Sequence, residues 1–126
     1  MRDGKHVILY VEDDPDFLDG MRLVLESGGY AMLEARSAEE GLRVLKKEMP
    51  DLILLDLMME EVDAGTEFVK AIRASGVGVP IYMVSSVGDD LNMTTSYADL
   101  GLNGILQKPV DADVLLTLLG ETLARS

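Results

Sequence analysis

Three short apolar runs, Val7 to Val11, Leu52 to Leu55 and Ile81 to Val84, constrain the fold of this chain more than any other feature. Each run is nearly continuous in aliphatic and β-branched residues rather than alternating, so each has to be covered on both faces, as strands of a parallel sheet are. Parallel strands need long crossovers, and the sequence between the runs reads as helix. The first strand, His6 to Val11, leads to Asp14, which suits the cap of a helix with Pro15 in its first turn. Phe17, Leu18, Met21 and Leu25 then recur at helical spacing until Gly28-Gly29 stops the pattern.

A short second strand follows from Tyr30 to Ala35. Ser37-Ala38-Glu39-Glu40 has the form of a capping box, in which serine and glutamate satisfy each other's free backbone N–H groups, and it opens a helix reaching about Met49. Pro50 breaks that helix, and Asp51 to Leu55 is a third, buried strand. A loop carrying Glu60, Glu61, Asp63 and Gly65 then leads to a helix over roughly Thr66 to Ala74. Gly76, Gly78 and Pro80 punctuate the chain before the fourth strand. Asp89 to Leu100 reads as a weaker helix, because Asn92, Thr94, Thr95 and Ser96 are poor helix formers. Asn103 to Gln107 is the fifth strand, and Val110 to Arg125 the last helix, with Asp111 as its cap and leucines on one face. Strands alternating with helices predict an α/β fold with right-handed crossovers and helices on both faces of a parallel sheet. No repeat or linker divides the 126 residues, so the expectation is one domain over 1–126, large enough to bury roughly two-thirds of its unfolded surface.

The charge balance narrows the partners. Against 11 basic residues stand 23 acidic ones, a formal charge of −12, and such a surface repels nucleic-acid phosphates and anionic headgroups. Direct DNA binding and membrane association are therefore not expected. Cysteine is absent, which excludes disulfides, thiolate metal sites and a cysteine nucleophile and agrees with a cytoplasmic location. The run Val7 to Val11 is too short for a signal peptide or a membrane span.

In open α/β sheets ligands bind beyond the carboxyl ends of the strands, so the residues following each strand matter most. Glu12 and Asp13 follow the first strand, and Asp56 ends the third. A single strand-end acid is equally well read as a helix cap or a solvated turn, and capping fully accounts for Asp14. If the first and third strands are neighbours, however, three carboxylates meet at one sheet edge. They repel one another unless a cation joins them, and hard oxygen donors suit Mg²⁺. Ser85 and Ser86 close the fourth strand and Lys108-Pro109 the fifth, bringing a hydroxyl and an ammonium to the same edge. Each is common at a strand end or surface; together they can serve an anion such as a phosphoryl group.

The segments His6-Val-Ile-Leu-Tyr-Val-Glu-Asp-Asp14, Asp51-Leu-Ile-Leu-Leu-Asp-Leu-Met-Met59, Met83-Val-Ser85 and Leu106-Gln-Lys-Pro109 resemble, in order, the motifs of response-regulator receiver domains of two-component signalling. The resemblance spans nearly the whole chain. It implies a three-layer flavodoxin-like (βα)5 fold with a five-stranded parallel sheet in the order 2-1-3-4-5. By that resemblance Asp56 is the phosphoacceptor, taking its phosphoryl group from the phosphohistidine of a sensor histidine kinase or histidine phosphotransfer protein. Asp13 and Asp56 would bind Mg²⁺ directly, Glu12 through water, and Met58 through its backbone carbonyl. Lys108 would bridge the phosphoryl group and the acids, and Ser85 would swing toward it. Ser86 would leave room for the donor, and the Lys108–Pro109 bond is cis in relatives. Such a protein is not an enzyme acting on other molecules; it catalyses only its own phosphorylation and dephosphorylation. The surface formed by the helix over 89–100, the last strand and the last helix would then signal to a downstream effector protein or domain.

Three positions depart from the pattern. Glu60 stands where most relatives have proline, Gly65 falls one residue late, and Ile105 replaces a frequent aromatic ring. These predict a longer, more acidic loop and a weaker or different output response. Two other readings follow: a receiver-shaped scaffold independent of phosphorylation, and a Mg²⁺ phosphohydrolase of the haloacid-dehalogenase type. The second lacks that family's D-x-D-x-T signature and has no space for a cap domain.

Overall fold

The computed structural model describes residues 4–56, 64–86, 103–108 and 110–124. Its elements are β1 (Val7–Val11), α1 (Pro15–Ser27), β2 (Ala31–Ala35), α2 (Ala38–Lys47), β3 (Leu52–Asp56), α3 (Ala64–Ala74), β4 (Ile81–Ser86), β5 (Gly104–Lys108) and α4 (Ala112–Ala124). The α/β class expected from the alternation holds. The strands lie parallel in the order β2-β1-β3-β4-β5, with Ile8 opposite Leu52 and Asp56 opposite Val84. The helix expected over Asp89 to Leu100 lies outside the described residues.

Asp14, Ser37 and Asp111 act as N-caps; of the reciprocal capping box expected over Ser37 to Glu40, the half in which the serine accepts is formed. The Asp14 carboxylate accepts from the N–H of Asp16 with Pro15 opening α1, Ser37 Oγ accepts from the N–H of Glu40, and Asp111 Oδ1 accepts from the N–H of Val114. Several boundaries shift by one to two residues from expectation, and four of the differences bear on the packing. The last helix starts at Ala112 rather than Val110, because Asp111 occupies the cap. Gly65 lies inside α3, in its first turn, rather than in the loop before it. β3 begins after Asp51, and β5 after Asn103.

These last two shifts have one cause. Asp51 and Asn103 stand at the amino edge of the sheet and use their side chains as ladder partners. Asp51 Oδ2 accepts from the N–H of Val7 at 2.7 Å, and Asn103 Oδ1 accepts from the N–H of Ile81 at 3.0 Å. Asn103 Oδ1 also accepts from Arg73 at the end of α3, whose guanidinium donates to the carbonyl of Val77 at 2.8 Å. Asn103→Ala leaves the Ile81 N–H without this acceptor, and a loss of about 1–3 kcal/mol is expected in urea unfolding.

Strand alternation splits the core in two. Leu9, Val11, Ile53, Leu55 and Met83 face α2 and α3, packing on Phe68, Val69 and Ile72. Ile8, Tyr10, Leu52, Leu54 and Val84 face α1 and α4, packing on Leu18, Leu25, Leu115 and Leu119. With both faces covered, β1 and β3 are buried at every position. Neither face of these two strands is left for polar chemistry, which is confined to their ends. Among the described residues no helix is long and apolar enough to cross a membrane.

Candidate functional site

β1 pairs with β2 on one side and β3 on the other, both parallel, so the direction in which successive strands are added reverses at the β1/β3 boundary. Loops leaving the two strands there diverge to opposite faces and leave a crevice at the carboxyl edge. Glu12 and Asp13 emerge from β1 at this crevice, and Asp56 is the final residue of β3. One carboxylate oxygen from each of the three lies within 4.8 Å of those of the other two.

The three differ in surroundings. Glu12 is 0% exposed and Asp56 6%, whereas Asp13 is exposed. Burying two carboxylates beside a third is costly unless hydrogen bonds or a cation compensate. Part of the compensation is visible at Glu12: its Oε1 accepts from the Tyr10 hydroxyl at 3.0 Å and its Oε2 from the N–H of Asp14 at 3.3 Å. The donor set consists of hard carboxylate oxygens with one open side at Asp13, which fits a divalent cation of the Mg²⁺ kind better than a softer metal.

Tyr10 is a site residue that the sequence reading passed over. The available signal was its place two residues before Glu12, which in a strand puts both on one face. Burial, followed by the charge and hydrogen bond of Glu12 and the charges of Asp56 and Asp14, pushes its phenol far above the usual tyrosine range. The folded state therefore keeps this proton after the unfolded chain has lost it. The stability it carries is present below about pH 10 and falls as the pH rises past that value. Tyr10→Phe is expected to flatten this alkaline limb when urea unfolding is followed from neutral to alkaline pH.

The remaining predicted residues are placed only in part. Ser85 and Ser86 end β4, and Lys108 ends β5, with Ser85 opposite Gln107 and Ser86 opposite Lys108 in the ladder. Their backbones thus reach the same carboxyl edge as Asp56; their side chains lie outside the described residues. Ile105 pairs with Met83 along the backbone, and its side chain is likewise outside. Met58, Glu60, Glu61, Asp63 and Pro109 lie outside the described residues altogether.

A parallel α/β sheet with an acidic crevice at its switch point has the frame of a doubly wound ligand-binding domain, and comparison with known proteins gives its family. Residues 8–120 match the response regulator receiver domain, and the chain belongs to that family. It is 35% identical over 119 residues to the transcriptional regulatory protein GlrR of Escherichia coli (strain K12), covering 94% of this chain and 26% of that protein. To AfsQ1, a transcriptional regulatory protein of Streptomyces coelicolor, it is 31% identical over 118 residues, with coverage of 94% and 51%. The chain thus spans about a quarter to a half of these curated relatives. Among solved structures, a CheY-like response regulator receiver domain protein from Methanospirillum hungatei JF-1 superimposes with a TM-score of 0.84 at 30% identity, covering 97% of this chain and 96% of that one.

Proposed function

We propose that the chain is a Mg²⁺-dependent phosphoacceptor switch that takes a phosphoryl group on Asp56. The observation that carries this reading is the convergence of the buried Asp56 carboxylate with Glu12 and Asp13 to within 4.8 Å at the carboxyl edge of a receiver-family sheet. On this reading a carboxylate oxygen of Asp56 attacks the phosphorus of a phosphohistidine on a sensor histidine kinase or histidine phosphotransfer protein. The P–N bond breaks as the P–O bond forms, and Asp56 carries an acyl phosphate. Mg²⁺, when bound, neutralises charge on the transferred oxygens.

The other residues position and screen. Asp13 and Asp56 would hold the metal directly, with the Met58 carbonyl, and Glu12 would act through water. Lys108 pairs with the acids and then with the phosphoryl oxygens, and Ser85 donates to the same group. The full architecture on this reading is (βα)5, in one domain spanning 1–126. Output passes to an effector protein or domain, and the location is cytoplasmic.

The test is incubation with a small phosphodonor, or with beryllofluoride, in the presence of Mg²⁺. The expected result is a mass gain of one phosphoryl group on Asp56, or amide shifts in the NMR spectrum centred on β3, β4 and β5. Unchanged mass and unchanged spectra under both conditions overturn the reading.

A further inference from the structure

We propose that Tyr10 is a positioning residue for the cation site: its hydroxyl holds the Glu12 carboxylate in the orientation from which Glu12 serves the metal. This inference rests on the reading of Glu12, Asp13 and Asp56 as a Mg²⁺ site and adds to it a residue outside the acidic set.

A glutamate side chain beside two other carboxylates is pushed away from them by like charge and has several rotatable bonds with which to leave. Glu12 does not leave, because each of its oxygens has a donor: the Tyr10 hydroxyl at 3.0 Å on Oε1 and the Asp14 N–H at 3.3 Å on Oε2. The two donors approach from different elements, one from β1 and one from the cap of α1, and so fix the plane of the carboxylate as well as its position. Groups that hold a ligand by hydrogen bonds in this way set its geometry and basicity toward the metal.

The tyrosine is itself held. It is 1% exposed, and its ring packs among Leu18, Met21, Leu54 and Leu115 between the sheet and the pair α1 and α4. Tyr10 also lines a cavity of about 250 Å³ with Phe17, Met21, Val24 and Val110. A tyrosine phenol is protonated throughout the physiological range, so the hydroxyl remains a donor there. Phenylalanine keeps the packing and removes only the hydroxyl, which separates positioning from core filling.

Mg²⁺ affinity measured by calorimetric titration of the wild type, Tyr10→Phe, Glu12→Gln and the double variant tests this, with metal-free thermal unfolding as the check on folding. Tyr10→Phe is expected to weaken Mg²⁺ binding by about tenfold or more, and to weaken it no further in the Glu12→Gln background. Wild-type protein that does not bind Mg²⁺ would remove the reading of the acidic site itself. Binding by the wild type with affinity unchanged in Tyr10→Phe, or weakened equally in both backgrounds, would overturn the role of Tyr10. Should Tyr10→Phe fail to fold, Tyr10→Met, apolar and adaptable but without a donor, takes its place in the same comparison.

Discussion

Replacing Asp56 by asparagine is expected to abolish phosphoryl uptake in the presence of Mg²⁺ and a small phosphodonor, leaving the intact mass unchanged. The substitution keeps the shape of a side chain that is 6% exposed and removes the charged nucleophilic oxygen that attack on phosphorus requires. It also removes one of three clustered carboxylates. Mg²⁺ that binds only the folded wild type stabilises it by about 2.7 kcal/mol at a hundred times its dissociation constant. In Asp56→Asn the same Mg²⁺ concentration should give less than half of that stabilisation, read as the shift in thermal midpoint with and without metal. A mass gain retained by the variant would place the acceptor elsewhere. An undiminished metal-induced shift would take Asp56 out of the cation site.

Phe68→Ala should lower stability by about 3–5 kcal/mol, the largest single loss expected from a core truncation here. Phe68 is 1% exposed and packs with Val11, Leu55, Val69 and Ile72 on the face covered by α2 and α3. Its ring also explains a glycine within α2. A Cβ at Gly41 would stand 2.8 Å from Phe68 Cε1 and 3.3 Å from Val11 Cγ2. Alanine at position 41 gains about 0.5–1 kcal/mol from helix preference, but overpacking a filled core costs typically about 1–3 kcal/mol. Gly41→Ala is therefore expected to destabilise the wild type and to stabilise the Phe68→Ala variant, where the ring is gone. Urea midpoints with an unchanged denaturant slope would measure both. Equal effects of Gly41→Ala in the two backgrounds would show that the ring is not the reason for the glycine.

Neither variant touches Asp51 or Asn103, whose side chains close the strand ladders at the opposite edge of the sheet. The two edges are built differently. The amino edge is satisfied by neutral and charged side chains acting as backbone substitutes. The carboxyl edge gathers three acids, Glu12, Asp13 and Asp56, into one cluster.

The sequence by itself determined the elements and the identity of the acidic residues. Apolar runs, caps and breakers act within a few residues of one another, so Asp14, Ser37 and Asp111 could be read as caps and the runs as buried strands without knowing what packs on them. The position of Glu12, Asp13 and Asp56 after strands was equally local, and the family motifs tied them together. The tertiary structure alone decided the rest. That Asp51 and Asn103 end ladders instead of extending strands depends on register between segments 44 and 22 residues apart, which sets where a side chain can replace a carbonyl. That Gly41 is required opposite Phe68 depends on how closely two helices approach over a shared sheet face. That Tyr10 is more than a core ring depends on where its hydroxyl comes to rest, and this is fixed by packing from α1 and α4, which the chain brings together from its two ends.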